Sequence, residues 1–189
     1  MPAVSFRFLW VILCLPVFLY ASPWETLLIR IQSEKSVEAH FSQIFMEKQS
    51  GMEIEDRGIL VAVYGQGLVV EYEDGRTYIL DREGIRSQEG GGDVVFHPWD
   101  ESLQDNPLLW LVGLAPDVPE PEQLGPDRTL FGSRPGMWNH VVMEWTKGMS
   151  NFPRTLSVTD EDDSTNTFTF TKIHWGVRKT HPLVIKLTK

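Results

Sequence analysis

Apolar positions change period several times along the chain, and each change marks an element. An unbroken apolar run from Phe8 to Tyr20 comes first, behind a single charge at Arg7. It is shorter than the roughly 20 residues a helix needs to cross a bilayer. A basic residue, a short apolar stretch and the small pair Ala21-Ser22 have the form of a secretory signal. Cleavage is expected after Ala21, because Pro23 disfavours a cut after Ser22. Leu27, Leu28 and Ile31 then recur at helical spacing behind a capping Ser22 and a first-turn Pro23, which predicts a helix to about Glu34.

Beyond the helix the period drops to two. Val37, Ala39 and Phe41 alternate with Glu38, His40 and Ser42, the sign of a half-buried strand. Gln49-Ser50-Gly51 closes it. A second strand runs from Ile54 to Tyr64 and is apolar on both faces from Gly58 onward. Gly65-Gln66-Gly67 turns the chain into Leu68, Val70 and Tyr72. Asp74-Gly75 then reads as a two-residue type I′ hairpin, which sets Glu73 opposite Arg76, Tyr72 opposite Thr77 and Val70 opposite Ile79. On that register Leu68, Val70, Tyr72 and Ile79 share a face. Arg82-Glu83-Gly84 is another tight turn, so the region is an antiparallel meander; links this short cannot make parallel crossovers.

The middle of the chain breaks the rhythm. Glu89 to Asp93 is glycine-rich and expected to be flexible. Asn106-Pro107-Leu108-Leu109-Trp110-Leu111-Val112-Gly113 reads as a short helix with Asn at the cap, Pro first and Gly just past the end. Its five residues between Pro and Gly are all apolar, so it has no wet face. The stretch 115–127, with Pro116, Pro119, Pro121 and Pro126, is expected as a surface loop. Strands are expected again at 128–131, 137–145, 153–159, 166–175 and 183–187, with Phe168 and Phe170 alternating with threonines.

Composition narrows the function. The chain has 189 residues, 42% of them apolar, one cysteine and a net charge of −9. That suits a signal at 1–21 followed by a single domain over 22–189. Acidic charge without a Lys/Arg block argues against nucleic acid and against resting on an anionic membrane. The lone Cys14 lies inside the signal, so the mature chain folds in an oxidising compartment without a disulfide.

Candidate chemistry is sparse. His40, His97, His140, His174 and His181 are scattered singly, in no HxxxH pair. Gly132-Ser133-Arg134-Pro135-Gly136 has its serine in the wrong slot for a nucleophile elbow. Asp160 to Asp163 lacks the glycine and distal glutamate of a calcium loop. No catalytic residue, metal site or cofactor is expected, and the chain reads as a non-enzyme. The apolar helix around Trp110 instead suggests a lid over an apolar cavity, the kind of site that an acyl chain requires. About 16 carbons at roughly 0.8 kcal/mol per CH₂ make about 12 kcal/mol of burial.

In order and spacing, Phe41-Ser42-Gln43, Gly58-Ile59-Leu60, Tyr72-Glu73-Asp74-Gly75-Arg76 and Asn106-Pro107-Leu108-Leu109 resemble the LolA family of periplasmic outer-membrane lipoprotein carriers. The stretch from Asp160 through Thr167-Phe168-Thr169-Phe170 to His181-Pro182-Leu183 resembles that family's closing hairpin. The resemblance implies a mainly β fold with helices: a strongly curved, unclosed antiparallel barrel with a helical lid. It implies a monomeric periplasmic chaperone that takes acylated lipoproteins from an inner-membrane ABC transporter to an outer-membrane acceptor such as LolB. Phe41, Leu60, Leu68, Val70, Tyr72, Ile79, Phe168 and Phe170 would line the cavity, and Leu108, Leu109, Trp110, Leu111 and Val112 would form the lid. Where the family carries a basic residue and a proline after its G-x-L, this chain has Tyr64 and Gly65. Tyr64 is therefore the candidate lid latch, and a LolA-like carrier of another lipid for a different exporter is an alternative. A further alternative is an envelope-stress sensor like RseB, whose proteins carry a second C-terminal domain.

Overall fold

The computed structural model describes residues 21–99, 106–115, 117–146 and 151–187. The expected signal at 1–21 lies outside them apart from Ala21. Helix α1 spans Pro23–Glu34. Its start is a reciprocal cap: Ser22 Oγ accepts from the Glu25 N–H at 3.2 Å, and the Ser22 N–H donates to Glu25 Oε2 at 2.7 Å. It ends at Lys35, in the left-handed region at φ 66°.

Eleven strands follow: β1 (Ser36–Met46), β2 (Glu53–Val63), β3 (Gly67–Tyr72), β4 (Thr77–Asp81), β5 (Gly84–Gln88), β6 (Val94–Pro98), β7 (Pro121–Gln123), β8 (Arg128–Phe131), β9 (His140–Trp145), β10 (Pro153–Thr159) and β11 (Thr165–Trp175). They form one antiparallel sheet in the order β6-β5-β4-β3-β2-β1-β11-β10-β9-β8-β7, with β6 and β7 at its edges. A 3-10 helix, Pro107–Val112, and helix α2, Pro182–Leu187, complete the set.

The sheet is strongly curved. Strands β3 and β8 stand six places apart in the order, roughly 29 Å on a flat sheet. Yet the 3-10 helix touches both sides at once. Gly65, in the β2–β3 turn, donates its N–H to Val112 O at 2.8 Å, while the Trp110 ring lies 4.7 Å from Phe131 on β8. The concave face so formed holds a core that runs from Leu80 on β4 through Val70, Leu60, Ala39, Phe170 and Leu156 to Phe131. Helix α1 and the 3-10 helix fill its hollow. The expected unclosed, curved antiparallel barrel with helices over an apolar face is the architecture the chain adopts.

Two sequence expectations need correction. Asp74-Gly75 does not make a two-residue turn. Gly75 donates to Tyr72 O at 3.0 Å and the Tyr72 N–H donates to Arg76 O at 2.8 Å, a three-residue loop closed by a glycine bulge. A type I′ turn needs positive φ at both central residues, but here Gly75 has it (90°) and Asp74 does not. The ladder therefore pairs Val70 with Tyr78 and Val69 with Ile79. One residue of slip turns every side chain over. Ile79 leaves the cavity face for the convex face, and Tyr78 and Leu80 take its place.

The second correction is at 183–187, a helix instead of a strand. Pro182 suits the first turn, and the Ile185 N–H donates to His181 O at 3.1 Å. Leu183 and Val184 cover Val61, Val63 and Val69 on the convex face, while Lys186 Nζ donates to Glu71 Oε2 at 2.6 Å. That cover explains why β2 is apolar on both faces. Strands β6 and β7 add to the expected set, β7 lying within the stretch expected as a loop.

Candidate functional site

The expected lid is a 3-10 helix, Pro107–Val112, capped at both ends. Asn106 Oδ1 accepts from the Leu108 N–H at 2.9 Å, and Gly113 stops the helix in the left-handed region at φ 67°. Gly113 has a second reason to lack a side chain: a Cβ there would stand 2.8 Å from Cε2 of Tyr64. Every residue from Pro107 to Val112 is buried. Trp110 is 1% exposed and sits edge-on to Trp24, 6.4 Å away, and to Trp138, 5.9 Å away. Its indole N–H, though buried, meets no acceptor among the described residues. Such an orphan donor costs about 1–3 kcal/mol.

Of the residues expected to line a cavity, Phe41, Leu60, Leu68, Val70, Phe168 and Phe170 are buried in the concave core. Tyr72 packs against it half-buried, its ring 5.4 Å from Phe41. Ile79 stands on the opposite face. All five expected lid residues, Leu108, Leu109, Trp110, Leu111 and Val112, lie in this same core. At the expected latch, the backbone bond to the lid comes from Gly65, whereas Tyr64 contributes its ring beneath Gly113, with Lys35 Nζ 5.5 Å from the ring centre.

Sequence reading missed the polar end of the concave face. Tyr72 Oη donates to Gln43 Oε1 at 2.6 Å, and Gln43 Nε2 donates to Asn166 Oδ1 at 2.9 Å. Gln43 falls in phase with Val37, Ala39 and Phe41, so the period of β1 alone turns it inward. Asn166 is two residues before Phe168, in phase with it. The aromatic partners Trp24, Phe131 and Trp138 were missed too, because they lie apart in sequence and no periodicity links them.

Charge at this end is balanced against itself. The Arg76 guanidinium lies 4.6 Å above the Tyr72 ring and bonds Asp56 and Asp74, both at 2.6 Å. Its hydrogen bond to Asp56 is the largest of the effects that hold its pKa above the usual arginine value, against some desolvation. Asp74 is held below the usual carboxylate range, first by the Arg76 backbone N–H. Burial pushes the Tyr72 phenol up to about 12, although Arg76 pulls the other way. The phenol is thus a neutral donor across the physiological range.

Among the described residues, three clefts that border the core bear on this site. One of about 380 Å³ opens between the first turn of the lid and strands β10 and β11, among Leu108, Trp138, Leu156, Phe168, Asn106 and Asn166. A second, near 430 Å³, lies by Trp99, Asp81 and Arg82 on the other flank of the lid. The third, near 400 Å³, lies by Pro23, Trp145, Asp127 and Arg154. Among the described residues no group of three or more His, Cys, Asp or Glu is placed to hold a metal ion, and no helix is long and apolar enough to cross a membrane.

Fold and site together define a curved, open sheet whose apolar hollow is plugged by its own helix. No family model and no curated protein matches the chain. Among solved structures it is similar to a LolA superfamily protein from Nitrosomonas europaea, at 9% identity over 82% of this chain and 93% of that one, with a TM-score of 0.41. It is also similar to a putative outer membrane lipoprotein-sorting protein domain from Vibrio parahaemolyticus (8% identity, 88% and 98% covered, TM-score 0.44). Mycobacterium tuberculosis lipoprotein LppX is a third (12% identity, 82% and 94% covered, TM-score 0.42). At this level the likeness is one of backbone course, and it carries no chemistry across.

Proposed function

We propose that the mature chain, a single domain over 22–189 released from its signal after Ala21, is a periplasmic, non-enzymatic carrier of acyl chains. The observation that carries this reading is the wholly apolar plug at 107–112, buried in the hollow of an apolar sheet, with an indole N–H that meets no acceptor among the described residues. A side chain the size of Trp110 buries about 150–250 Å², some 4–6 kcal/mol. A 16-carbon chain offers about 12 kcal/mol. With Leu108, Leu109, Leu111 and Val112 also buried, at about 1.5–3 kcal/mol each, the plug totals about 10–18 kcal/mol. Exchange of plug for acyl chain is therefore near balance on those terms, and relief of the orphan N–H favours it. A 3-10 helix suits that exchange, since its short-range bonds are poorer than those of an α-helix.

In its fuller form the reading makes Phe41, Leu60, Leu68, Val70, Tyr72, Phe168 and Phe170 the cavity wall, and residues 108–112 the lid. Cargo is an acylated lipoprotein taken from an inner-membrane ABC transporter and handed to an outer-membrane acceptor. The sequence resemblance supports this, while Tyr64-Gly65 in place of a basic residue and proline favours a second reading, a carrier serving another lipid exporter. Mixing purified mature protein with membranes that hold an acylated lipoprotein separates the outcomes. A soluble complex, with acyl lipid found in it by mass spectrometry, is expected. Cargo that stays wholly in the membrane, together with no lipid on the protein as purified from cells, would end the carrier reading.

A further inference from the structure

The cleft between the lid and strands β10–β11 differs from its neighbours in charge. Asp81 and Arg82 line the cleft by Trp99, and Asp127 and Arg154 line the cleft by Pro23. Around the 380 Å³ cleft no lining residue is charged, and its polar side chains are two amides, Asn106 and Asn166. They are not equivalent. Asn106 Oδ1 is committed to capping the lid. Asn166 is the last member of the chain of donors that begins at Tyr72: the phenol gives its hydrogen to Gln43, and Gln43 gives one of its own to Asn166 Oδ1. That fixes the amide with its oxygen turned to Gln43, and its Nδ2 meets no acceptor among the described residues.

An uncharged donor beside Leu108, Leu156 and Phe168, at the brink of an apolar hollow, has a definite chemical complement. The complement is a carbonyl oxygen attached to a long apolar chain. At the rim of the cleft the charges are of both signs, Arg134 lying 5.9 Å from the Trp138 ring centre and Glu161 accepting from the Gly136 N–H, so an ionised headgroup gains no net countercharge there. At the Tyr72 end, Arg76 is already bonded to Asp56 and Asp74, and beside them Arg57 is bonded to Glu55, with Glu73 adding a further carboxylate. A free fatty acid or a phosphate would face more negative charge than positive at this end. Ordinary hydrogen-bond energetics apply: a carbonyl that loses water without gaining a donor is penalised, and one that meets a fixed amide N–H is not.

We infer that this cleft is a linkage subsite, in which the Asn166 amide, oriented by Gln43 and Tyr72, donates to the carbonyl of an uncharged acyl ester or amide while the acyl chain runs past Leu156 and Phe168 into the hollow that the lid gives up. The inference rests on the carrier reading and specifies the ligand: acyl chains in ester or amide linkage, not free fatty acids. Two sources share that linkage, a glyceride and an acylated polypeptide.

Binding to the mature protein, followed by tryptophan fluorescence, tests it with probes of one chain length: hexadecanol, palmitate, monopalmitoylglycerol and a palmitoylated cysteinyl peptide. The expected order places both ester-bearing probes at least about tenfold tighter than palmitate. Asn166→Leu should weaken the ester probes about tenfold more than it weakens hexadecanol, whose lone hydroxyl is free to turn to water. Gln43→Leu, which removes the orienting bond, should weaken them less. Melting curves for each variant confirm that it is folded. Equal affinity for palmitate and the esters, or ester affinity unmoved by Asn166→Leu, overturns the linkage subsite and leaves the carrier reading standing through hexadecanol. Failure of all four probes to bind overturns both. Tighter binding of the peptide than of the glyceride, or the reverse, assigns the source, and either ranking upholds the subsite.

Discussion

Trp110 is held by contacts that a smaller side chain cannot reproduce. Its ring fills the centre of an aromatic group with Trp24, Phe131 and Trp138, and its N–H has no partner among the described residues. Removing ring and N–H together is therefore different from removing the N–H alone. Trp110→Ala should cost about 3–5 kcal/mol of unfolding free energy, since the cavity left behind is not refilled. Trp110→Phe keeps much of the ring and removes the orphan donor, so its cost should fall well below that range. Chemical denaturation of the two variants checks the pair, and equal losses would show that the indole N–H is not a burden in the native state. Tyr72 gives a prediction in pH. Its phenol titrates near 10.0 in an unfolded chain and near about 12 in the fold, mainly through desolvation. Below pH 10 both states hold the proton. Between about 10 and about 12 the unfolded chain releases it first, so the unfolded state gains and stability falls as pH rises. The melting temperature should decline across that window, and Tyr72→Phe should flatten the decline. Ultraviolet titration of phenolate absorbance in the native protein should show a late phase that Tyr72→Phe removes.

At the level of elements, the loop Glu73-Asp74-Gly75 decides which face of β4 is wet. Its three residues, with Gly75 at φ 90°, set the pairing that turns Leu80 and Tyr78 inward and Ile79 outward under α2. Deleting Asp74 would leave Glu73 and Gly75 as a two-residue turn between the same partners, Tyr72 and Arg76, so β4 would keep its faces. The backbone at Gly75 is the sensitive point, since φ 90° is strained for any residue with a Cβ. Gly75→Ala should cost about 1–2 kcal/mol of unfolding free energy, read by chemical denaturation; an unchanged midpoint would mean that the pairing is set by the strands and not the loop. The same loop shows why the sequence was only partly legible. Asp-Gly suits two hairpin geometries, and the difference lies in the φ of Asp74, which tertiary packing decides. Leu183 to Leu187 was ambiguous for a related reason: a five-residue apolar run fits a strand or a helix, and the patch at Val61, Val63 and Val69 selects the helix. Helix α1 and strand β1 could be read in full, because Ser22-Pro23 and the alternation from Val37 are local signals. Of the candidate site, the apolar half showed in composition and period. Its polar half did not, because Gln43 and Asn166 are 123 positions apart and each alone looks like a solvated side chain.

On the scale of the whole molecule, one hollow has two potential fillings, and the lid is the one present. A ligand that bound outside the closed lid would stabilise everything it touches, and a ligand that replaced the lid would divide the molecule. At a concentration of 100 times its Kd, a ligand adds about 2.7 kcal/mol of stability, or about 5–11 °C in melting temperature for a domain of this size. That gain is net, and the exchange distributes it unevenly. The sheet keeps an apolar partner and becomes harder to unfold. The lid loses its bond to the Gly65 N–H, its packing on Phe131 and Trp138, and the reason for its short helical turns at Leu109 and Gly113. Hydrogen exchange with a saturating acyl ester should accordingly slow at the amides of β1, β2 and β11 and quicken at those of Gly65, Leu109 and Gly113. Tryptophan emission should shift to the red in the same titration as Trp110 meets solvent, a shift that Trp110→Phe should diminish. If the lid amides gained protection together with the sheet, the plug would be a permanent part of the core, and binding would have to take place in the outer clefts with the hollow still closed.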